Sequence, residues 1–188
     1  MIRPIVKFGD PVLRKKGALV PAQVDESTRQ LATDMLDTMR AAHGVGLAAQ
    51  QVGVALQLTV IDVTDIEDRP STMSVAGRPV PLEEWMPLVL INPELELGPA
   101  KEPGTEGCLS FPEVTAEITR AAAVRARARL LDGREVEFEA TGLLARALQH
   151  EVDHLNGILF IDRMNAAAKA ALSGRLKRMQ KEGRNGGA

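Results

Sequence analysis

The segment Gln149-His150-Glu151-Val152-Asp153-His154 holds two of the chain's three histidines, and their spacing is the first sign of chemistry. On a helix advancing roughly 100° per residue, positions 150 and 154 point about 40° apart, so both imidazoles reach one point. Imidazoles so placed are ligands for a divalent metal ion, and the neighbouring Glu151 carboxylate could accept a proton from a water held there. Two solvated surface histidines are the competing explanation. The helical wheel argues against it. Leu143, Leu144, Ala147, Leu148, Val152 and Leu155 fill an apolar arc, and Arg146, Gln149 and Asp153 form a polar stripe on the other side. His150 and His154 flank Leu143 and Ala147 on the inward edge, where a buried imidazole needs a partner such as a metal.

A catalytic metal commonly takes three protein ligands and leaves a position for water. The metzincin pattern would put a third histidine six residues after His154, and Phe160 stands there. A glutamate further along would have to be Glu182, close to a terminus where order is poor. The remaining soft donor is Cys108, the sole cysteine, which follows a glycine on a loop entering a strand. A Cys/His/His set gives a tetrahedral site with one open position.

These residues must be positioned by a chain of 188 residues, 45% of them hydrophobic, which is enough for one domain spanning 1–188 with a substantial core. Lys and Arg total 23 against 25 for Asp and Glu, so charge gives no reason to expect a nucleic-acid or membrane partner. No stretch of about 18 uncharged apolar residues occurs, and one cysteine forms no intramolecular disulfide; both point to a cytoplasmic protein. Residues 4–13 read as a short extended segment with a turn at Gly9-Asp10-Pro11 and no chemistry. A first helix opens at Asp25, repeats Leu31, Met35, Leu36 and Met39 at helical spacing, and ends at His43-Gly44, with His43 on the surface. The stretch Gly44 to Gly53 lacks the Gly-Lys-Ser/Thr of a phosphate loop; its small residues and paired glutamines suit the lining of a small pocket.

Strands are expected over 56–63, 88–93, 114–119, 123–131 and 134–139, with Asp132-Gly133 as a hairpin turn. Residues 64–87 read as a long surface insertion, and Pro99 to Gly107 as a loop that delivers Cys108. Thr141-Gly142 offers a cap for the histidine-bearing helix, which Asn156-Gly157 ends. A basic final helix over 165–182 carries Lys169, Arg175, Lys177, Arg178 and Lys181, and the tail 183–188 reads as frayed.

Taken together, Gly44-Val45-Gly46-Leu47-Ala48-Ala49-Gln50-Gln51, Glu106-Gly107-Cys108-Leu109-Ser110 and Gln149-His150-Glu151-Val152-Asp153-His154, in this order, resemble the three signature motifs of peptide deformylase. The likeness extends to Gly9-Asp10-Pro11-Val12-Leu13-Arg14, Ile91-Asn92-Pro93 and Gly142-Leu143-Leu144, and so covers most of the chain. The resemblance implies an α+β domain in which antiparallel β-sheets surround a central H-E-x-x-H helix, with an N-terminal and a C-terminal helix. It implies a metal held by Cys108, His150 and His154, usually Fe²⁺, with Zn²⁺, Ni²⁺ or Co²⁺ also able to occupy such a site. It further implies removal of the formyl group from the N-formylmethionine that begins nascent polypeptides. Metal-bound hydroxide then attacks the formyl carbon, Glu151 takes and returns the proton, and the Gln51 side-chain amide and Leu109 backbone N–H stabilise the tetrahedral oxyanion.

The methionine pocket would be bounded by Val45, Gly46, Glu106, Leu143, Ala147 and the helix around His150. Arg146 departs from the family, where the matching position is often apolar; its stem is expected at the pocket rim with the guanidinium in solvent. Two other readings remain: a peptidase using the same metal, and a non-catalytic ribosome-associated protein contacting its partner through the basic final helix. No membrane and no sequence-specific nucleic-acid partner is expected.

Overall fold

The chain is described by a computed structural model covering residues 1–185. The first helix, α1 (Glu26–Ala41), is capped by the Asp25 carboxylate, which accepts from Thr28 N at 2.8 Å. It buries Leu31, Met35 and Met39 on one face and ends where His43 turns to φ 54° before Gly44. A seven-stranded sheet runs in the order β1 (Gly46–Ala48), β2 (Leu58–Ile61), β5 (Leu88–Leu97), β8 (Ala123–Arg129), β9 (Glu135–Thr141), β3 (Ser71–Val75) and β4 (Arg78–Val80). Every pairing in it is antiparallel. A separate hairpin joins β6 (Lys101–Cys108) to β7 (Phe111–Ala121). The histidine-bearing helix is α2 (Gly142–Leu155), and the last is α3 (Ala166–Asn185). Among the described residues no helix is long and apolar enough to cross a membrane.

Strict alternation makes β8 and β9 one layer: Val124, Ala126, Ala128, Val136, Phe138 and Ala140 face inward against Leu143, Leu144, Ala147 and Leu148 of α2. Their outward residues pair across strands, Arg125 with Glu139 and Arg127 with Glu137. The Asp132-Gly133 turn lies where the sequence places it, with Gly133 at φ 89°. The Ile91-Asn92-Pro93 motif marks a register shift between Ile91 and Glu94, at which Asn92 takes φ 51° and exchanges two hydrogen bonds with the Val20 backbone. A second cluster packs α1 on β1 and β2, and a third joins Phe8, Leu13, Phe111, Phe160 and Leu176. The three clusters together enclose α2.

Three expectations about the chain trace need correction. Residues 64–87 are not all loop: they form the β3–β4 hairpin, and β3 adds to the free edge of β9. Residues 99–107 contain β6, which tolerates Pro103 and Gly104 because it pairs on one side only, with β7. The Thr141 side chain makes no capping bond to α2; Ser71 Oγ accepts from Leu144 N at 2.9 Å instead. The cap comes from 73 residues away, out of the hairpin that the sequence suggests is a loop. Gly142, at φ 63°, permits this approach, since a Cβ there would collide with the Pro70 carbonyl. The final helix extends to Asn185, and the rest of the tail expected to fray lies outside the described residues.

Candidate metal centre

The three donors come from two elements. His150 and His154 project from α2 with ring centroids 5.0 Å apart, and Cys108 ends β6 with its Sγ 3.3 Å from His154 Nε2. Their ligand atoms all lie within 4.8 Å of one another. Bonds of about 2.0–2.3 Å from nitrogen and sulfur to one ion fit that spread. His150 Nδ1 is 2.9 Å from Glu106 Oε2, an outer-sphere carboxylate contact that orients the ring and leaves Nε2 for the cluster.

The electrostatics suit a cation at this point. Burial disfavours a charged His150, yet bonding to Cys108 and Glu106 outweighs it and holds the imidazole well above its ordinary pKa. His154 is pushed well below its ordinary pKa by burial first and by the charge on His150 second. Of the two imidazoles, the surroundings favour the charged form of His150 and disfavour that of His154. Burial also opposes ionisation of Glu106, but bonds from His150 and Arg120 win and hold it at about 2. Glu151 is buried, and desolvation raises its pKa from 4.5 to about 7. Its Oε2 has no hydrogen-bond partner among the described residues.

Gln51 stands on the short helical turn Ala49–Val52 that follows β1. Its Oε1 accepts from Ala48 N at 2.9 Å, which fixes the amide so that Nε2 faces Ser110 Oγ at 3.3 Å and Cys108 Sγ at 3.5 Å. Gly46, in β1, lies directly against Glu151, with a hypothetical Cβ only 2.9 Å from the Glu151 Cδ. A cavity of about 530 Å³ opens over the cluster. Val45, Gly46, Gln51, Glu106, Leu109, Leu143, Arg146, Ala147 and Glu151 all line it beside Cys108 and His150, so the residues expected around the site are brought together. His154 belongs to the donor cluster but is not among the lining residues.

Arg146 does not send its guanidinium into solvent. It is buried, donating to Glu106 Oε1 at 3.0 Å, to the Ile118 carbonyl at 2.8 Å and to the Glu102 carbonyl at 3.1 Å. The whole polar stripe is likewise buried: Gln149 bonds the Ala121 backbone through both amide atoms, and Asp153 pairs with Arg120 and Arg163. The β6–β7 hairpin covers this side of α2, and its backbone and charges match the stripe.

Arg120 is the main residue that sequence reading misses. Its guanidinium bridges Glu106, at 2.9 and 3.0 Å, to Asp153. A signal existed: it shares strand parity with the buried Val114 and Ile118, so a charge there points inward. Lys7, in a segment whose sequence suggests no chemistry, also lines the cavity and donates to the Leu109 carbonyl at 2.9 Å. His43 is exposed, as expected, and also lines the same cavity.

A helix offering two imidazoles and a buried carboxylate to a cysteine on an adjoining hairpin, within an α+β domain, is an arrangement suited to metal-assisted hydrolysis. The sequence model of the polypeptide deformylase family matches residues 2–170. A peptide deformylase of Methylacidiphilum infernorum is 45% identical over 181 residues, 96% of this chain and 94% of that protein. The crystal structure of peptide deformylase from Thermotoga maritima aligns with TM-score 0.72 at 40% identity, covering 88% of this chain and 99% of that one. That of an Arabidopsis thaliana peptide deformylase in complex with an inhibitor aligns with TM-score 0.83 at 32% identity, covering 100% and 94%. The chain belongs to the polypeptide deformylase family.

Proposed function

We propose that this enzyme hydrolyses the formyl amide of the N-formylmethionine that begins nascent polypeptides, releasing formate and a free amino terminus. Cys108, His150 and His154 hold one divalent cation; thiolate and imidazole together suit Fe²⁺, Zn²⁺, Ni²⁺ or Co²⁺, and the family resemblance favours Fe²⁺. Such an ion, when bound, supplies the Lewis acidity that lets water act as a nucleophile near neutral pH.

The chain's own residues carry the rest. Glu151, with an unpartnered buried oxygen and a pKa near the working range, takes a proton from the attacking water. Oxygen adds to the formyl carbon, and the Gln51 amide and Leu109 N–H face the oxyanion that develops, each such donor typically contributing about 10²–10³ in rate. The carbon–nitrogen bond then breaks as Glu151 returns its proton to the departing amine. Leu143, Ala147 and Val45 give the methionine side chain an apolar seat, and the buried Arg146 closes its floor as a fixed polar wall. Contact with the ribosome through α3 belongs to the same proposal, supported by exposed Lys177, Arg178 and Lys181; reversing those charges should weaken ribosome co-sedimentation.

The observation that carries the reading is the lone buried oxygen of Glu151 beside the three-donor cluster. The test compares formyl-Met-Ala-Ser with acetyl-Met-Ala-Ser and an internal Met-containing peptide. Formate release with no cleavage of internal bonds is expected, whereas internal cleavage would make the enzyme a peptidase.

A further inference from the structure

The tip of the β6–β7 hairpin is two residues long, Leu109 and Ser110, between the paired Cys108 and Phe111. It carries one of the two donors assigned above to the oxyanion, the Leu109 N–H, which has no protein acceptor among the described residues. A hairpin tip has no strand beside it to fix its peptide planes. Here both tip carbonyls are taken from outside the hairpin: Lys7 Nζ donates to that of Leu109 at 2.9 Å, and Phe8 N to that of Ser110 at 2.9 Å. One residue earlier, Val6 N donates at 2.8 Å to the carbonyl of Gln51, the other oxyanion donor. Three consecutive residues therefore hold both donor segments, and the Gln51 amide meets Ser110 Oγ at 3.3 Å within the same frame.

The holding segment is itself backed. Phe8 is buried and stacks on Phe111 with ring centroids 4.6 Å apart. Helix α3 comes so close at Gly183 that a Cβ there would collide with the Phe8 carbonyl. Val6 and Phe8 act through backbone N–H groups, which almost any residue supplies. Lys7 differs, because its bond comes from an exposed side chain whose only hydrogen bond among the described residues is the one to Leu109. An ionised donor bonds more strongly than a neutral one, which offsets the entropy lost in ordering a long stem.

We infer that Lys7 is a positioning residue for the oxyanion donors, completing the clamp that residues 6–8 place on the hairpin tip and so fixing the Leu109 N–H relative to the Gln51 amide. The inference rests on the deformylase chemistry proposed above. In this role Lys7 acts through the Leu109 peptide, so its loss lowers turnover and leaves substrate binding as it was. An aimed donor is worth about 10²–10³ in rate. With Phe8 still holding the tip, releasing one of the two carbonyls should forfeit about tenfold of that.

The experiment measures formate release from formyl-Met-Ala-Ser by metal-loaded wild type, Lys7→Met and Lys7→Arg at equal metal content, and follows hydrogen exchange over residues 108–111 by mass spectrometry. Lys7→Met keeps the stem and removes the donor; kcat should fall about tenfold with KM unchanged, and exchange at the tip should quicken. Lys7→Arg still donates and should restore both. A raised KM at unchanged kcat would make Lys7 a substrate contact and overturn the inference, as would wild-type kcat or unaltered exchange in Lys7→Met. No formate from wild type overturns the deformylase reading beneath it, and the exchange comparison then still decides whether Lys7 holds the tip.

Discussion

Gly46→Ala places one methyl group against the carboxylate on which the proposed chemistry depends. An ideal Cβ at Gly46 would lie 2.9 Å from the Glu151 Cδ and 3.0 Å from its Cγ, and closer still to Oε1. Comfortable contact between such atoms is about 3.5–4.0 Å, so the Glu151 side chain must retreat by about 1 Å. It is 4% exposed and packed within α2, so the retreat changes its aim and does not simply take up slack. Gly46 pairs with Ile61 on β1, the edge strand of the sheet, and the atoms nearest the added methyl all belong to the Glu151 side chain and none to backbone, so the fold should survive. A misplacement of about 1 Å costs about 10²-fold when a catalytic group must meet its target in one geometry. Steady-state formate release should therefore show kcat down by about 10²-fold with KM little changed, the signature of an interaction made in the transition state. Circular dichroism and metal content should match wild type. If the effect acts through Glu151, adding Gly46→Ala to Glu151→Ala costs nothing further. A Gly46→Ala enzyme with wild-type kcat, or a double variant showing additive losses, would refute the reasoning.

Other consequences follow from the same geometry. Ser71→Ala removes the remote cap on Leu144 N, and should lower stability by about 1 kcal/mol and the melting temperature by about 2–4 °C; an unchanged melting curve would show that the cap contributes nothing. Arg146→Met leaves Glu106 one cation short and strips three backbone carbonyls of a donor, so denaturant unfolding should show a loss of about 3–5 kcal/mol. A variant of wild-type stability would restore the solvent-facing placement of that guanidinium. In metal-free protein, the raised pKa of Glu151 means that the folded state holds this proton more tightly than the unfolded chain. Its stabilising contribution is complete below 4.5 and is lost as pH rises through about 7. Wild type should thus lose about 3 kcal/mol relative to Glu151→Gln between about pH 4 and about pH 8, and parallel stability profiles would contradict the shift.

Much of this centre is legible in the residues themselves. The spacing of His150 and His154 requires only helical periodicity, and Cys108 follows from the shortage of other soft donors. Alternation over 123–131 and 134–139 and the turn between them suffice for the two strands that pack on α2. What periodicity misses is the identity of the surface opposite a helix face. Arg146, Gln149 and Asp153 look like a solvated stripe because their partners, Glu106, Arg120, Ala121 and Arg163, lie elsewhere in the chain and on separate elements. The hairpin at 71–80 escapes notice for a related reason: its strands are short and partly exposed, and their pairing with β9 is decided by tertiary contact. The resemblance to peptide deformylase gives the donors their order in the chain and leaves this burial unstated.

The most direct test of the account is formate release from formyl-Met-Ala-Ser by protein purified without oxygen and loaded with Fe²⁺ or Ni²⁺, comparing wild type with Glu151→Ala at equal metal content. The account predicts rapid release by wild type and its near-loss in a variant that still holds the metal. Absence of release from metal-loaded wild type, or undiminished release from the variant, would contradict it.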